Sequence, residues 1–198
     1  MTRRISAIIL AAGYSSRMGA LKPLLKLGAR TVLERVIALF SGSGIKDVIV
    51  VVGHGASQTI PIAHECGAQA VINRQFDRGM FSSVQEGVRA LSPDSRAFFM
   101  LPVDIPLVRP QTIEELLKAY YGGMGKIVFP TFLGKRGHPP LIDALYRNEI
   151  LSHPGEGGLR AILRNHEDQS IQIEVADEMI LFDLDTPADY EALVARLS

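Results

Sequence analysis

Residues 6–19 have the sequence SAIILAAGYSSRMG, an apolar run that ends abruptly in small and polar residues. The aliphatic and β-branched side chains of the run are typical of a buried strand, and we predict one over residues 6–12. The run is too short to cross a membrane, and Gly13 interrupts it, so it does not have the form of a signal peptide. The loop that follows the strand is the first place to look for a ligand.

Similar short apolar runs alternate with amphipathic stretches along the rest of the chain. Further strands are predicted at residues 47–53, 70–73, 97–103 and 127–131, with a later pair near 138–142 and 171–175. Helices are predicted at residues 31–40, 57–64, 81–91 and 111–121, then near 141–151 and 158–165, and finally at 188–197. This βαβ order predicts one α/β domain over residues 1–198, a Rossmann-like three-layer α/β/α fold with a mostly parallel sheet. The helices near 141–151 and 158–165 are interpreted as insertions around the edge of the sheet.

Composition excludes several classes of protein. The 198 residues include 21 basic and 21 acidic side chains, so no global field favours binding to nucleic acid or to an anionic membrane. Hydrophobic residues make up 47% of the chain, as in ordinary globular proteins. Cys66 is the single cysteine, which leaves no internal disulfide and no Cys-x-x-Cys motif for zinc or redox chemistry. We therefore expect a cytoplasmic protein that holds any anionic ligand with local groups.

The loop after the first predicted strand has the composition of an anion-binding site. Ala11, Ala12 and Gly13 allow backbone amides to approach a ligand closely. Hydroxyl and cationic groups that can neutralise a triphosphate follow at Ser15, Ser16, Arg17 and Lys22. The loop matches neither the Gly-x4-Gly-Lys-Ser/Thr motif of a P-loop nor the Gly-x-Gly-x-x-Gly dinucleotide fingerprint. Taken alone, these residues also fit a solvated loop in which glycine only turns the chain.

Acidic residues follow two other segments of the predicted sheet. Asp104 comes after an apolar strand, in a turn between Pro102 and Pro106 that stiffen it. Ligands of open α/β sheets bind beyond the carboxyl ends of the strands, so this carboxylate is placed for chemistry. Mg²⁺ takes one or two carboxylates with water and phosphate oxygens, and Asp185 or Asp183 can supply the second. The competing interpretation is that Asp104 caps its own turn and Asp185 caps the last helix.

Several segments resemble a known group of enzymes, the nucleoside triphosphate transferase superfamily. The likeness begins with Leu10 to Gly19 and Lys22-Pro23-Leu24-Leu25, and it is closest to the molybdenum cofactor nucleotidyltransferase branch, especially its cytidylyltransferases. It continues through Asn73, Gly79-Met80-Phe81-Ser82-Ser83-Val84, Leu101-Pro102-Val103-Asp104-Ile105-Pro106, Gly137-His138-Pro139 and Asp183-Leu184-Asp185-Thr186-Pro187. The first loop and the Pro-x-Asp-x-Pro turn are specific to the superfamily, whereas the Gly-His-Pro segment narrows the branch. The resemblance implies a fold like that of the nucleotide-diphospho-sugar transferases.

The resemblance also implies roles for individual residues. The implied catalytic residues are Arg17, Lys22 and Asp104. Mg²⁺ would be held by Asp104 and Asp185, because Asp185 matches the family's Asp-Thr-Pro position. The nucleotide would be bound by Leu10, Ala11, Ala12, Gly13, Ser15, Ser16, Arg17, Lys22, Asn73, Gly79, Ser82 and Ser83. His138 would face the acceptor, although it also fits a surface histidine, and Ser82 and Ser83 also fit a helix cap.

The implied reaction is transfer of CMP from CTP to the phosphate of molybdopterin or its metal-loaded form, with release of pyrophosphate. The acceptor phosphate is already an anion, so the enzyme aligns the reactants and screens charge without a general base. GTP is the nearest alternative donor, and methylerythritol cytidylyltransferases and sugar-phosphate nucleotidyltransferases share the loop. A nucleotide-binding module without catalysis, such as a molybdoenzyme chaperone, is the alternative from another class. The expected partners are a nucleoside triphosphate, a phosphate-bearing acceptor and a molybdoenzyme or its chaperone, but no nucleic acid or membrane.

Overall fold

The structure is a computed structural model, and it describes residues 4–15 and 18–197. The strands are β1 (Arg4–Ala11), β2 (Lys26–Leu27), β3 (Arg30–Thr31), β4 (Asp47–Val52), β5 (Gln69–Ile72), β6 (Ser95–Pro102), β7 (Ile127–Phe132), β8 (Lys135–Arg136), β9 (Leu141–Asp143) and β10 (Ser170–Glu174). The helices are α1 (Val32–Gly42), α2 (Ala56–Glu65), α3 (Met80–Ala90), α4 (Pro110–Tyr121), α5 (Arg147–Ser152), α6 (Gly158–Arg164) and α7 (Pro187–Ala195). Within these described ranges, none of the helices is long and apolar enough to cross a membrane.

The order of the strands places β1 in the interior of the main sheet. Neighbouring strands follow the order β10-β7-β9-β6-β1-β4-β5, and β8 pairs with β7. β1 runs parallel to both neighbours, so that Ile8 lies opposite Ile49 of β4 and Met100 of β6. β8 and β9 run antiparallel to their partners, whereas the other pairings of this sheet in the described chain are parallel. The predicted mostly parallel sheet is therefore confirmed.

Helices cover both faces of the sheet, and alternate residues of β1 face the two layers. Ala7 and Ile9 pack into one buried cluster with apolar residues of α1, α4 and α7. Ile8 and Leu10 pack into a second buried cluster with residues of α3, α5 and α6. Because both faces of β1 exclude water, hydrophobic burial holds three layers together. This arrangement confirms the predicted three-layer α/β/α fold.

The helix starts follow the capping residues of the sequence. Thr31 caps α1 through a reciprocal pair of hydrogen bonds with Glu34. Thr186 caps α7 in the same manner with Asp189, and Pro187 is the first helical residue, as predicted. These caps satisfy backbone donors at the helix starts and fix where α7 begins, close to Asp185.

The segment 138–151 agrees with one prediction and departs from another, because the strand predicted near 138–142 overlaps β9, whereas the helix predicted near 141–151 begins later than expected. Residues 141–143 form β9, which lies inside the sheet between β6 and β7, and the helix α5 covers only the last part of the segment. Leu141 and Ile142 are both fully buried, one in each apolar cluster, so the two residues face opposite sides of the sheet as strand residues do. The interpretation of this segment as an insertion around the edge of the sheet is therefore wrong.

Candidate active site

The loops after β1, β4 and β6 are joined by hydrogen bonds at one edge of the sheet. The backbone N–H of Val103 donates to the carbonyl of Leu10 at 3.0 Å, and that of His54 donates to the carbonyl of Ala12 at 3.1 Å. The three strands are parallel, so their carboxyl ends lie together. This is the edge at which open α/β sheets bind ligands.

Lys22 and two acidic residues form a compact charged cluster in these loops. The Nζ of Lys22 lies 3.3 Å from Oδ2 of Asp104 and 2.7 Å from Oδ1 of Asp185. The exposed fraction of the side chain is 12% for Lys22, 25% for Asp104 and 39% for Asp185. The backbone N–H of Lys22 donates to Oγ of Ser15 at 3.0 Å, and the buried Pro23 follows it in a 3₁₀ turn. Three residues that are distant in the sequence are thus brought to one point.

Asp185 does not cap the last helix. The carboxylate of Asp189 accepts from the backbone N–H of Thr186 at 2.7 Å and from that of Asp185 at 3.1 Å. Thr186 Oγ1 in turn accepts from the backbone N–H of Asp189. The capping alternative for Asp185 is therefore wrong, because Thr186 and Asp189 cap α7 while the Asp185 carboxylate contacts Lys22.

The acid pair has the donor chemistry of a magnesium site. Among the described residues, no group of three or more His, Cys, Asp or Glu side chains is arranged to hold a metal. Two carboxylates are nevertheless sufficient for Mg²⁺, which takes its remaining ligands from water and phosphate. The Lys22 ammonium already lies between Asp104 and Asp185, so the pair faces a common position for positive charge. Partial desolvation of the carboxyl group, followed by the charges of Asp104 and Asp185, raises the pKa of Asp183, although the residue as a whole remains exposed.

A cavity of about 350 Å³ lies between the first loop and the turn before α3. Its walls include many of the predicted site residues, namely Leu10, Ala11, Ala12, Gly13, Ser15, Lys22, Gly79, Ser83 and Asp104. Asn73 and Ser82 are not part of its wall, and Ser16 and Arg17 lie outside the described residues. The same wall also contains residues that are not among the predicted site residues, namely Tyr14, Pro23, Phe76, Asp77, Met80, Pro102 and Val103.

Asn73 forms the centre of a buried hydrogen-bond network under this cavity. Its side chain is only 1% exposed, and Nδ2 donates to Oγ of Ser82 at 2.8 Å and to Oγ of Ser83 at 2.9 Å. Its Oδ1 accepts from the backbone N–H of Gln75 at 2.8 Å. The N-cap of α3 is Gly79, with no side-chain cap, so the interpretation of Ser82 and Ser83 as helix caps is wrong. The network instead links the end of β5 to α3 and holds the intervening turn.

Three aromatic side chains lie beside the first loop. The ring centroid of Tyr14 is 5.0 Å from that of His54 and 5.2 Å from that of Phe76. Tyr14 is 53% exposed, and Tyr14 and Phe76 both line the 350 Å³ cavity. Aromatic contacts of this length are favourable, and they leave part of the Tyr14 ring open to a ligand. The signal in the sequence was the aromatic residue inside a loop of otherwise small and polar residues.

A larger cavity, of about 720 Å³, adjoins the first and shares Leu10, Met80 and Pro102 with it. Much of its wall is apolar, and includes Phe81, Met100, Phe129, Leu159 and Leu163. Basic groups are contributed by Arg136, Arg160 and Arg164. The guanidinium of Arg136 lies 4.6 Å from the ring centroid of Phe129 and pairs with Glu167. This cavity can take a ligand that combines a large apolar or ring-shaped part with negative charge.

His138 lies in the wall of this larger cavity. Its Nδ1 is buried and has no hydrogen-bond partner, so the alternative of a surface histidine is wrong. Burial lowers the pKa of His138 below 6.5, although the Met100 carbonyl and the charge of Asp104 oppose the shift. At Gly137 a Cβ would lie 2.5 Å from the Ile180 carbonyl oxygen, so glycine is required for the close packing of this segment.

Comparison with known proteins identifies the family. The family model for the MobA-like NTP transferase domain matches residues 7–170. The chain belongs to this family. The match includes the first loop, the Asp104 turn and His138, and it ends before Asp185. Membership in the MobA-like family means that the chain is a nucleotidyltransferase, as predicted.

Several relatives match almost the whole chain. Molybdenum cofactor cytidylyltransferase of Escherichia coli is 29% identical over 94% of this chain and 93% of its own length. A protein of Paenarthrobacter nicotinovorans named nicotine blue oxidoreductase is 30% identical over 92% of both chains. Bifunctional GlmU proteins match in part, and the chain spans 27% of the length of the one from Alkalilimnicola ehrlichii. A solved nucleotidyl transferase from Methanothermobacter thermautotroptrophicus shares the fold, with a TM-score of 0.83 over 98% of this chain and 99% of its own at 23% identity.

Proposed function

We propose that this member of the MobA-like family transfers CMP from CTP to the phosphate of molybdopterin or its metal-loaded form and releases pyrophosphate. The observation that carries the proposal is the pair of cavities that share Leu10, Met80 and Pro102. The smaller cavity has the first loop, Lys22 and Asp104 in its wall, which suits a nucleoside triphosphate. The adjoining cavity suits an acceptor. Two substrates bound in this way would have their phosphates near the shared wall.

The charged cluster would then provide electrostatic catalysis. Mg²⁺ held by Asp104 and Asp185 would offset the repulsion between the two negatively charged phosphates as they approach each other. Lys22 is close to both carboxylates and lines the nucleotide cavity, so its ammonium is placed to stabilise the leaving pyrophosphate. Arg17 would add a second cation from the same loop. The acceptor phosphate is itself a nucleophile, so the remaining task of the protein is alignment.

The size and lining of the larger cavity favour a bulky acceptor. A volume of about 720 Å³ exceeds what a small phosphate ester requires and falls within the usual range of sites for drug-sized ligands. Aromatic and aliphatic side chains can pack against a fused-ring body, while Arg160 and Arg164 can pair with its phosphate. A pterin-based phosphate such as molybdopterin has this combination of a flat ring and a charged end.

The proposal is tested by the release of pyrophosphate. The four ribonucleoside triphosphates are each incubated with protein, Mg²⁺ and one acceptor: molybdopterin, its metal-loaded form, methylerythritol phosphate or a sugar 1-phosphate. We expect turnover with CTP and a molybdopterin acceptor, and the blank without acceptor should release no pyrophosphate. Turnover with GTP, or with one of the smaller acceptors, would reassign the substrates within the family. Binding of a triphosphate without release of pyrophosphate in any combination would favour a nucleotide-binding module without catalysis.

A further inference from the structure

Asp77 is an acidic residue in the wall of the nucleotide cavity that the proposed mechanism does not use. It lies at the middle of the 3₁₀ turn Phe76–Arg78 and is exposed. Its carboxylate has no hydrogen bond or ion pair within the described chain, and the adjacent Arg78 donates to Oε1 of Gln75 instead. Asp77 therefore keeps its acceptor oxygens available to a ligand.

The charge of Asp77 is opposite in sign to what a triphosphate site requires. The rest of the cavity offers backbone amides, the Ser15 hydroxyl and the Lys22 ammonium, and the Asp104 carboxylate is paired with Lys22. An unpaired carboxylate would repel the triphosphate if it lay against it, because both groups are anionic acceptors. Asp77 is favourable only where the nucleotide presents N–H or O–H donors, which means at the base or at the ribose.

Aromatic surface next to Asp77 favours the base. Phe76 precedes it in the same turn, and the Phe76 ring centroid lies 5.2 Å from that of Tyr14, with both rings in the cavity wall. Any nucleobase can stack on such side chains, and stacking leaves the polar edge of the base free for a hydrogen bond. A carboxylate on the neighbouring residue is placed to receive that hydrogen bond.

The turn that carries Asp77 is held from three sides. Asn73 Oδ1 accepts from the backbone N–H of Gln75 at 2.8 Å, and Ser82 Oγ donates to the Gln75 carbonyl at 2.9 Å. A Cβ at Gly53 would lie 2.8 Å from Phe76, so the ring packs directly against the loop after β4. The buried Asn73 network thus serves as support for a residue that faces the ligand. These contacts fix the backbone of the turn and so limit the positions that the Asp77 carboxylate can reach.

We propose that Asp77 selects cytosine over uracil by accepting a hydrogen bond from the amino group at position 4 of the base. This inference rests on the proposed use of a nucleoside triphosphate and identifies the residue that reads its base. CTP and UTP carry the same phosphates and ribose, but uracil presents a carbonyl oxygen where cytosine presents an amino group. A carboxylate accepts from the amino group and repels the carbonyl, a pairing worth about 1–3 kcal/mol in base readout. That corresponds to a preference for CTP of roughly 5- to 150-fold.

The test compares the dissociation constants of CTP and UTP for the full chain with Mg²⁺, measured by isothermal titration calorimetry. The wild type should prefer CTP at least 5-fold, in line with the lower end of base readout. Asp77→Asn should reduce the preference for CTP to within about twofold, mainly by lowering the dissociation constant of UTP, because the new amide can donate to the uracil carbonyl. Asp77→Ala should weaken the binding of CTP but not that of UTP. Asp94→Asn, an exposed aspartate in the wall of another cavity, is the matched control and should keep the wild-type ratio.

Several outcomes would overturn the inference. Equal binding of CTP and UTP by the wild type would exclude base selection by Asp77. If Asp77→Asn weakened the binding of CTP and UTP equally, the carboxylate would contact the ribose and not the base. In that case 2′-deoxy-CTP would bind the wild type as weakly as CTP binds the variant. The measurement needs no acceptor, so it stands even if molybdopterin is not the substrate. If the wild type bound no triphosphate, the proposed function would fail and this inference with it.

Discussion

The backbone N–H of Leu184 donates to the backbone carbonyl of Asp104 at 2.7 Å. Leu184 is fully buried, so the bond lies where water cannot compete for either group. It ties the turn after β6 to the loop that leads into α7, and Asp185 is the next residue. The spacing of the two carboxylates is therefore set by backbone geometry and by the burial of a leucine. Lys22 then bridges the side chains.

The first prediction distinguishes the three acids of this region. Asp104→Asn and Asp185→Asn should each reduce Mg²⁺-dependent pyrophosphate release by at least about 100-fold, since each removes a charge from the pair that faces the cation. Asp183→Asn should stay within about threefold of wild type, because Asp183 is exposed and does not contact Lys22 by a hydrogen bond. Binding of Mn²⁺, followed by electron paramagnetic resonance, should weaken in the first two variants only. Full activity of Asp185→Asn together with loss in Asp183→Asn would transfer the second ligand to Asp183.

The second prediction concerns competition between Lys22 and the metal. Lys22→Met removes the ammonium from between two carboxylates and leaves them in mutual repulsion. The variant should unfold at a lower temperature than wild type without metal, and added Mn²⁺ should raise its unfolding temperature more than it raises that of wild type. Activity should fall strongly, because the leaving pyrophosphate loses a cation.

Lys26→Met provides the control for Lys22→Met. Lys26 is largely exposed and lies 3.9 Å from Glu34, so this surface pair contributes little to stability. The control should have the unfolding temperature of wild type without metal and the same increase on addition of Mn²⁺. An identical Mn²⁺ effect in wild type and Lys22→Met would show that the ammonium and the metal do not compete for one position.

Much of this site was predictable because parallel strands end together. The loop after β1 and the turn at Asp104 each follow a predicted strand, and ligands of such sheets bind beyond the carboxyl ends of the strands. The structure adds that β1 and β6 are neighbours, which brings the two segments side by side. The contact between Lys22 and the two acids was not predictable in the same way. It depends on the Leu184 hydrogen bond and on the path of the chain before α7, which no local pattern encodes.

Two errors of the sequence interpretation have physical causes. The strand predicted near 138–142 and the helix predicted near 141–151 overlap at Leu141 and Ile142, because the periodicity of so short an apolar run does not separate a strand from the helix that follows. Ser82 and Ser83 have the composition of a helix cap, but Asn73 uses both hydroxyls as acceptors and Gly79 takes the cap position. In both cases tertiary hydrogen bonds or burial override a local preference.

Asp77 was not predicted from the sequence, because an isolated aspartate in a loop belongs to no recognisable motif.

The third prediction tests Asn73 as a structural support. Asn73→Ala leaves the Ser83 hydroxyl buried without its donor, and the free energy of unfolding should fall by about 1–3 kcal/mol. Urea denaturation measures the change, and the exposed Asn165→Ala, at the end of α6, should stay within about 0.5 kcal/mol of wild type. Both CTP and UTP should bind Asn73→Ala more weakly, because the turn that carries Asp77 loses its anchor. Unchanged stability with loss of nucleotide binding would indicate a direct contact with the ligand instead.

The fourth prediction assigns the larger cavity to the acceptor. Leu159→Trp adds a bulky ring to the wall of the 720 Å³ cavity and should raise the KM for the acceptor at least about tenfold by steric exclusion. The dissociation constant of CTP should change little, because Leu159 is absent from the nucleotide cavity wall. Leu145→Trp makes the same change at an exposed leucine outside both cavities and should leave both constants near wild type. A rise in the KM for CTP alone would place the nucleotide in the larger cavity.

The fifth prediction follows from the lowered pKa of His138. Burial favours the neutral imidazole in the folded protein, whereas the unfolded chain binds a proton near pH 6.5. Below that pH the unfolded state holds more protons, so His138 makes the free energy of unfolding fall as the pH is lowered from about 7 to 5. His138→Gln should make that decline shallower, as measured by urea denaturation across this range. An unchanged slope in His138→Gln would show that the imidazole is protonated equally in both states.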